Sequence, residues 1–411
     1  INVNYKCKIS KSKSTGDAPM TEKYQKTLYA CFIGYITQAI INNFAPLLFI
    51  TFQNEYNISL PKITLLVTFN FGVQLFVDFI SVSFVDRIGC RISVILAHIF
   101  AVVGIAGMTF LPSLMPDPFI GLLLSVMLYA VGGGIIEVLI SPIVEACPTE
   151  HKEKAMSLLH SFYCWGQVGV VLLSSIFFRI FGIDNWRILA LIWLLIPMFN
   201  IFLFMKVPIV SLADNGPALS VSVLLRQKLF WLFVLFMFCA GASEMSVSQW
   251  ASSFAEQGLG VDKTLGDLLG PMFFAVLMGT SRAIYGKYGH MIDLDRFMKY
   301  SGMLCILSYI VISLSPWPLV SLIACGVCGL SVGIMWPGTF SMAAASIKGG
   351  QTAMFAYLAL AGDLGCMGGP SLVGFISGVF NDNLKTGILT AVVFPLVLVV
   401  GIIAAKKCRK I

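Results

Sequence analysis

Charge is what this sequence has least of. Asp, Glu, Lys and Arg make up 11% of its 411 residues, and 58% are hydrophobic; an ordinary soluble domain carries about 25% charged residues. A soluble globular protein is excluded. Histidine is also scarce, at four. No His-Glu-x-x-His metal pair and no Gly-x-x-x-x-Gly-Lys-Ser/Thr nucleotide loop occurs, so neither enzyme chemistry, a cofactor nor an ATP-driven motor within the chain is expected. The 11 cysteines are odd in number and scattered through apolar runs, which argues against a disulfide framework. Even Cys325 and Cys328, with two residues between them, lie in an apolar Gly-rich run with no second Cys or His pair nearby, and read as packing residues.

What is abundant is long apolar runs. A helix crosses the hydrocarbon core in about 20 residues, and runs bounded by charges, Gly or Pro predict spans near 27–52, 60–84, 92–111, 118–146, 155–180 and 187–206. Six more follow near 229–256, 266–286, 297–315, 318–346, 352–380 and 386–405. The expected fold is therefore all-α: a membrane protein of twelve transmembrane helices in two pseudo-symmetric six-helix bundles, too full of spans to hold a large extramembrane domain. The first span is too long, and lacks the small-residue cleavage site, to be a signal peptide. The predicted organisation is a disordered cytoplasmic tail (1–26), an N-terminal bundle (27–206), a cytoplasmic linker (207–228) around Asp214-Asn215-Gly216-Pro217, a C-terminal bundle (229–405) and a short tail (406–411).

Lys and Arg set the orientation. With these spans, 22 of them fall on the side of the two termini, including Arg87, Arg91, Lys152, Lys287 and Lys407. Five fall on the other: Lys62, Arg179, Arg187, Lys263 and Lys385. The positive-inside rule then makes both termini cytoplasmic in a multi-pass protein of the cell membrane. The net charge of +7 follows from topology and indicates no nucleic-acid partner. The halves echo each other weakly, since seven residues separate Gly134 from Pro142 and likewise Gly329 from Pro337. Parallel six-helix repeats place a binding site at their interface near the bilayer midplane, which is a transporter's geometry.

A carboxylate at membrane depth is costly and a functional candidate by default. Glu137, Glu244 and Asp363 qualify. Asp78, His98 and Glu145 lie closer to helix ends and read as structural, with Asp78 assigned to the latch described below. His160, one turn into the fifth span, is a candidate proton-relay partner of Glu137 or Glu145, and Gln167 two turns deeper is a cavity candidate. Arg282 is expected to pair with a neighbouring helix end. Gln38, Asn42, Asn43, Glu137, Glu244, Gln249, Trp250 and Trp336 supply the amides, carboxylates and aromatic faces that hold a small polar solute such as a sugar, although buried amides also join helices to one another.

Between the second and third spans runs Asp86-Arg87-Ile88-Gly89-Cys90-Arg91, with Asp78 two turns earlier. A Gly is needed for so short a turn, and a carboxylate held against Arg can latch helix ends together. This loop resembles the Gly-x-x-x-Asp-Arg-x-Gly-Arg-like signature of the major facilitator superfamily: Asp86, Arg87, Gly89 and Arg91 match, and Val82 stands where the opening Gly would be. The resemblance covers the chain from about Lys26 to Lys407. Glu137 before Ser141-Pro142, the pair Asn42-Asn43 followed by Phe52-Gln53, and Glu244 with Trp250 are similar to the fucose-permease-like branch. That resemblance implies symport of a sugar-like solute with protons, or else sodium, by a monomer, with Glu137 as the coupling group and Glu244, Asp363 and His160 as further candidates. The first-helix acid of that branch would fall at Pro46. Competing readings are efflux of amphiphiles, suited to 18 Met and 32 Phe, an uncoupled facilitator, and a receptor that does not translocate.

Overall fold

The structure, a computed structural model, describes residues 22–148, 152–209, 221–288, 293–347 and 351–408. The predicted N-terminal tail up to residue 21 and the Asp214–Pro217 part of the linker lie outside the described residues. Among the described residues there is no β-strand. Twelve helices are long and apolar enough to cross a membrane. They are α1 Tyr24–Tyr56, α2 Leu60–Ile80, α3 Cys90–Leu114, α4 Pro118–Ala146, α5 Leu158–Phe181 and α6 Ile183–Lys206. The second six are α7 Lys228–Ser248, α8 Lys263–Tyr285, α9 Leu294–Leu314, α10 Pro318–Ser346, α11 Met354–Val379 and α12 Leu384–Ala404. Helix is the form these runs must take, because the hydrocarbon offers no partner for backbone N–H and C=O groups.

Each span read from the sequence has its helix, with ends a few residues apart and the largest difference at the seventh. The seventh stops at Ser248, and after a break at Gln249 and Trp250 the chain continues through Ala251–Ser253 into a π-turn at Phe254–Gly258. Apolarity continues across that break, so hydropathy does not register it.

The packing repeats. α1 lies against α4, α5 and α6, α2 against α4, and α3 against α4 and α6. Adding six to every number gives the second half: α7 against α10, α11 and α12, α8 against α10, and α9 against α10 and α12. Across the halves, α2 lies against α11 and α5 against α8. The glycine echo in the sequence has its cause here. A Cβ on Gly134 would meet Gln74 and Val77 of α2, and one on Gly329 would meet the Phe274 backbone of α8. The same contact, fourth helix on second, is kept close in both halves by a missing side chain.

Two ends of the bundle can be told apart by their loops. At one end α2 continues as helix to Ile88 and turns at Gly89, whose φ of +84° suits glycine; Arg91 there donates to the carbonyls of Phe204 (2.6 Å) and Met205 (3.3 Å), which close α6. At the other, Lys62 pairs with Asp117 (3.3 Å), and Arg187 bonds Glu55 and the Tyr56 hydroxyl. Asp117 caps α4 by accepting from the Phe119 N–H at 3.0 Å. That bond, aided by Lys62, holds the Asp117 carboxyl below its usual range, so the cap persists at neutral pH and is lost only as pH falls through the lowered value.

Close backbone approach makes a stability prediction. A Cβ at Gly365 of α11 would strike the Phe238 carbonyl of α7, whereas one at Gly169 of α5 meets nothing within 4 Å. Gly365→Ala is expected to destabilise by about 1–3 kcal/mol, visible as a lower melting temperature in detergent. Gly169→Ala should be neutral or stabilising by up to about 1 kcal/mol.

Candidate functional site

Where the halves face each other they enclose a cavity of about 390 Å³. Its wall draws Tyr35, Gln38 and Asn42 from α1, Phe71 and Gln74 from α2, Glu137 from α4, and His160 and Tyr163 from α5. The second half adds Glu244 of α7, Arg282 and Tyr285 of α8, Trp336 and Phe340 of α10, and Asp363 of α11. Convergent polar groups set beside aromatic faces are what a small-molecule site uses to fix and orient its ligand.

The amides form a chain. Gln38 Nε2 donates to Glu137 at 3.3 Å and to Gln74 Oε1 at 2.8 Å. Gln74 Nε2 in turn donates to the side-chain oxygens of Asn42 (3.0 Å) and Asn70 (3.1 Å), and Asn70 donates to Asn42 at 3.1 Å. The far end crosses to the other half, where Gln249 Nε2 donates to the Asn42 carbonyl at 3.0 Å. Pro46 explains why that carbonyl is free, since its own i+4 donor would be an N–H that proline lacks. Pro46 also starts the break in α1, a 3-10 turn at Ala45–Leu48.

Asp78, Glu137 and Asp363 each place a carboxyl oxygen within 4.8 Å of the other two. Asp78 was read from the sequence as part of the loop latch; its carboxyl instead joins this group. Two and a half turns of helix separate Asp78 from Arg87, and that half turn points Asp78 toward α4 and α11. Two further carboxyls, contributed by α2 and α11, thus stand beside Glu137. Two full charges at such a distance repel by about 3 kcal/mol at an effective dielectric of about 20.

Arg282 also departs from expectation. Rather than meeting a helix end, it reaches Glu244 at 3.2 Å, the Gly333 carbonyl at 3.3 Å and the Cys164 sulfur at 3.4 Å. Glu244 is thus an ion-paired wall residue. His160 faces the cavity beside the Tyr35 ring, 5.6 Å between centroids, and the Tyr35 hydroxyl shares a hydrogen bond with Ser141 at 2.8 Å.

Four candidates stand outside the cavity wall. Asn43 folds back onto the Ala39 carbonyl (2.9 Å). Gln167 donates to Ser248 (3.1 Å), Gln249 to Asn42 as above, and Trp250 through its indole to the Pro370 carbonyl (2.9 Å). Gln167 and Gln249 thereby join the halves on the Asp117 side of the cavity. Thr68 and Ser371 do the same at 2.6 Å, as do Gln53 and Gln257 at 3.0 Å. The halves are held together toward the Asp117 end.

Of the latch residues, Gly89 makes the turn and Arg91 holds α6, while Arg87 is exposed; the Asp86 side chain lies outside the described residues. His98 is fully buried, its Nδ1–H donating to Val94 (2.7 Å) and its Nε2 accepting from Asn200 (2.8 Å), which ties α3 to α6. Glu145 is exposed. Gly329-Leu330-Ser331-Val332-Gly333 has the letters of a hydrolase nucleophile turn, but Ser331 is buried within helix and donates to the Cys328 carbonyl at 2.6 Å.

Sequence reasoning missed Asn70, Gln74 and Asp267. The first two lie four residues apart in an otherwise apolar span, a spacing that puts them on one helix face. Lys263 and Asp267 carry the same signal at the start of α8.

The sequence matches the Major Facilitator Superfamily over residues 28–370. No curated protein matches it. Among solved structures it is similar to a single-residue variant of the E. coli fucose:proton symporter FucP, with a TM-score of 0.64 at 16% identity, covering 93% of this chain and 98% of that one. A D-xylose–proton symporter gives 0.73 at 12%, covering 93% and 97%. A bacterial homologue of the human lysosomal transporter Spinster, in an inward-facing unoccupied conformation, gives 0.73 at 14%, covering 94% and 98%. At such identities these likenesses concern the fold. The family match spans most of the chain, and with twelve spans and paired six-helix halves it makes this multi-pass membrane protein a transporter of the Major Facilitator Superfamily.

Proposed function

We propose that this transporter carries a small polar, sugar-like solute across the cell membrane by alternating access, coupled to protons through Glu137, with both termini cytoplasmic. The observation that carries this reading is the position of Glu137. It stands at once in the cavity wall, in a group of three carboxyls, and at the head of an amide chain that ends on the opposite half. Gln38, Asn42 and Gln74 offer paired donors and acceptors to hydroxyls, and Trp336 and Tyr163 offer flat faces to a ring. Solved relatives of this fold include symporters of fucose and of xylose with protons.

A proton taken up by the Asp78–Glu137–Asp363 group relieves repulsion between charges that the apolar surroundings screen poorly, and with the solute bound it lets the halves rock. Once the cavity opens toward the Gly89 end, which the 22-to-five distribution of Lys and Arg makes cytoplasmic, loss of the proton there resets the carrier. The apolar part of the wall, Phe71, Met245 and Phe340, favours a second reading, transport of amphiphilic compounds.

In proteoliposomes, Glu137→Gln is expected to cut accumulation driven by a pH gradient at least tenfold while leaving solute exchange at equal pH measurable. Unchanged pH-driven accumulation would show that Glu137 does not couple. A melting-temperature screen of the purified protein against sugars, nucleosides, amino acids and amphiphiles should give stabilisation, growing with ligand concentration, by sugars. Stabilisation by amphiphiles alone would replace the sugar reading with the second one. Thr68→Cys with Ser371→Cys should form a disulfide that blocks uptake until reduced, because rocking must separate those two positions.

A further inference from the structure

The contacts that join the halves on the Asp117 side of the cavity are mostly between neutral groups. Lys263, the first residue of α8, is one of two exceptions, with Asp267. Its ammonium donates to the Leu47 carbonyl of α1 at 2.7 Å, across the junction, and lies 5.9 Å from the Phe178 ring centroid of α5. Within its own half it pairs with Asp267 at 3.2 Å and approaches Glu256 at 3.9 Å. Asp267 has a side chain 1% exposed; it accepts from the Ser252 hydroxyl and, across the junction, from Ser175 at 3.5 Å.

Each part of this arrangement has a physical reason. A buried carboxylate needs a cation and hydrogen bonds, and Lys263 one turn earlier supplies the cation. Leu47 sits at the break in α1 that Pro46 imposes, which brings its carbonyl to the junction. Lys263 also borders a second cavity of about 660 Å³ at the Asp117 end, together with Glu55, Arg187 and Glu256. When the halves part, the ammonium keeps Asp267 and Glu256, which move with it, and loses the Leu47 carbonyl and the Phe178 ring.

We propose that Lys263 and Asp267 form a charged clamp that holds the Asp117 end shut, Asp267 fixing the Lys263 ammonium against the Leu47 carbonyl, and that release of this bond sets how often the carrier opens to that side. The inference rests on the alternating-access reading above. A hydrogen bond from a charged donor contributes enough to shift the balance between closed and open forms by about tenfold.

The test uses the Thr68→Cys, Ser371→Cys protein and follows the rate of disulfide formation under mild oxidation. Adding Lys263→Ala with Asp267→Ala removes the clamp together with the buried Asp267 charge, leaving without its cation only the partly exposed Glu256, and should slow the cross-link about tenfold with the melting temperature nearly kept. The charge-swapped pair, Lys263→Asp with Asp267→Lys, keeps the ion pair along α8 but places no donor against Leu47, so it should slow the cross-link too. Lys263→Arg should preserve the parent rate. Wild-type rates in both the double-alanine and the swapped proteins would overturn the clamp, as would a swapped protein that alone matches the parent, since that makes the pair merely structural. Failure of the parent cysteine pair to cross-link, or a cross-link that leaves uptake intact, would overturn alternating access itself, and with it the clamp.

Discussion

Inside a bilayer a polar side chain has no water to fall back on, and most of this structure's particular features follow from that constraint. A buried donor or acceptor left without a partner costs about 1–3 kcal/mol, so polar residues here are gathered rather than scattered. Gln38, Gln74, Asn70 and Asn42 bond one another in a line from Glu137 to Gln249. Asn200 donates to His98 deep between α3 and α6, Arg282 is held by Glu244, and Lys263 by Asp267. The carboxyl trio is gathered differently, acid against acid. Asp78, Glu137 and Asp363 face one another, an arrangement that gains from taking up positive charge, and it borders the cavity.

The two halves share a packing scheme but divide the chemistry unequally. The amide chain belongs to α1 and α2, whereas the second half brings the Arg282–Glu244 pair and the Trp336 and Phe340 rings. A solute in the cavity therefore touches different chemistry on its two sides. The junction is also unlike the interior of either half. Its hydrogen bonds are few and mostly neutral, each contributing about 1 kcal/mol net, and they cluster toward one end. Contacts of that strength hold a closed state without making it permanent, as a carrier that must reopen requires.

Pro46 shows how one residue serves both fold and site. It removes the N–H that would close the Asn42 carbonyl, exposes that carbonyl to Gln249, and bends α1 so that Leu47 meets Lys263. Read as a sequence, the same proline registers only as the loss of an acid. Its structural effect requires the other half of the molecule to be in place.

The twelve spans, their short loops and the glycine echo between the fourth and tenth helices were legible from the sequence because each depends on residues near one another along the chain. Apolar length selects a membrane helix, and Gly or Pro marks its close contacts or its ends. Glu137, Gln38, Asn42 and Trp336 were also recognisable, as polar or aromatic residues on helices that a paired bundle turns inward. Only the tertiary structure decided that Asp78 joins Glu137 and Asp363, that Arg282 meets Glu244, that Gln167 and Gln249 lie in the joint rather than the cavity wall, and that Trp250 bonds Pro370 of its own half. Those outcomes hang on the rotation and tilt of helices far apart in the chain. A change of one residue in helical phase turns a side chain by about 100°, and hydropathy along a single helix carries no information about its neighbour's phase.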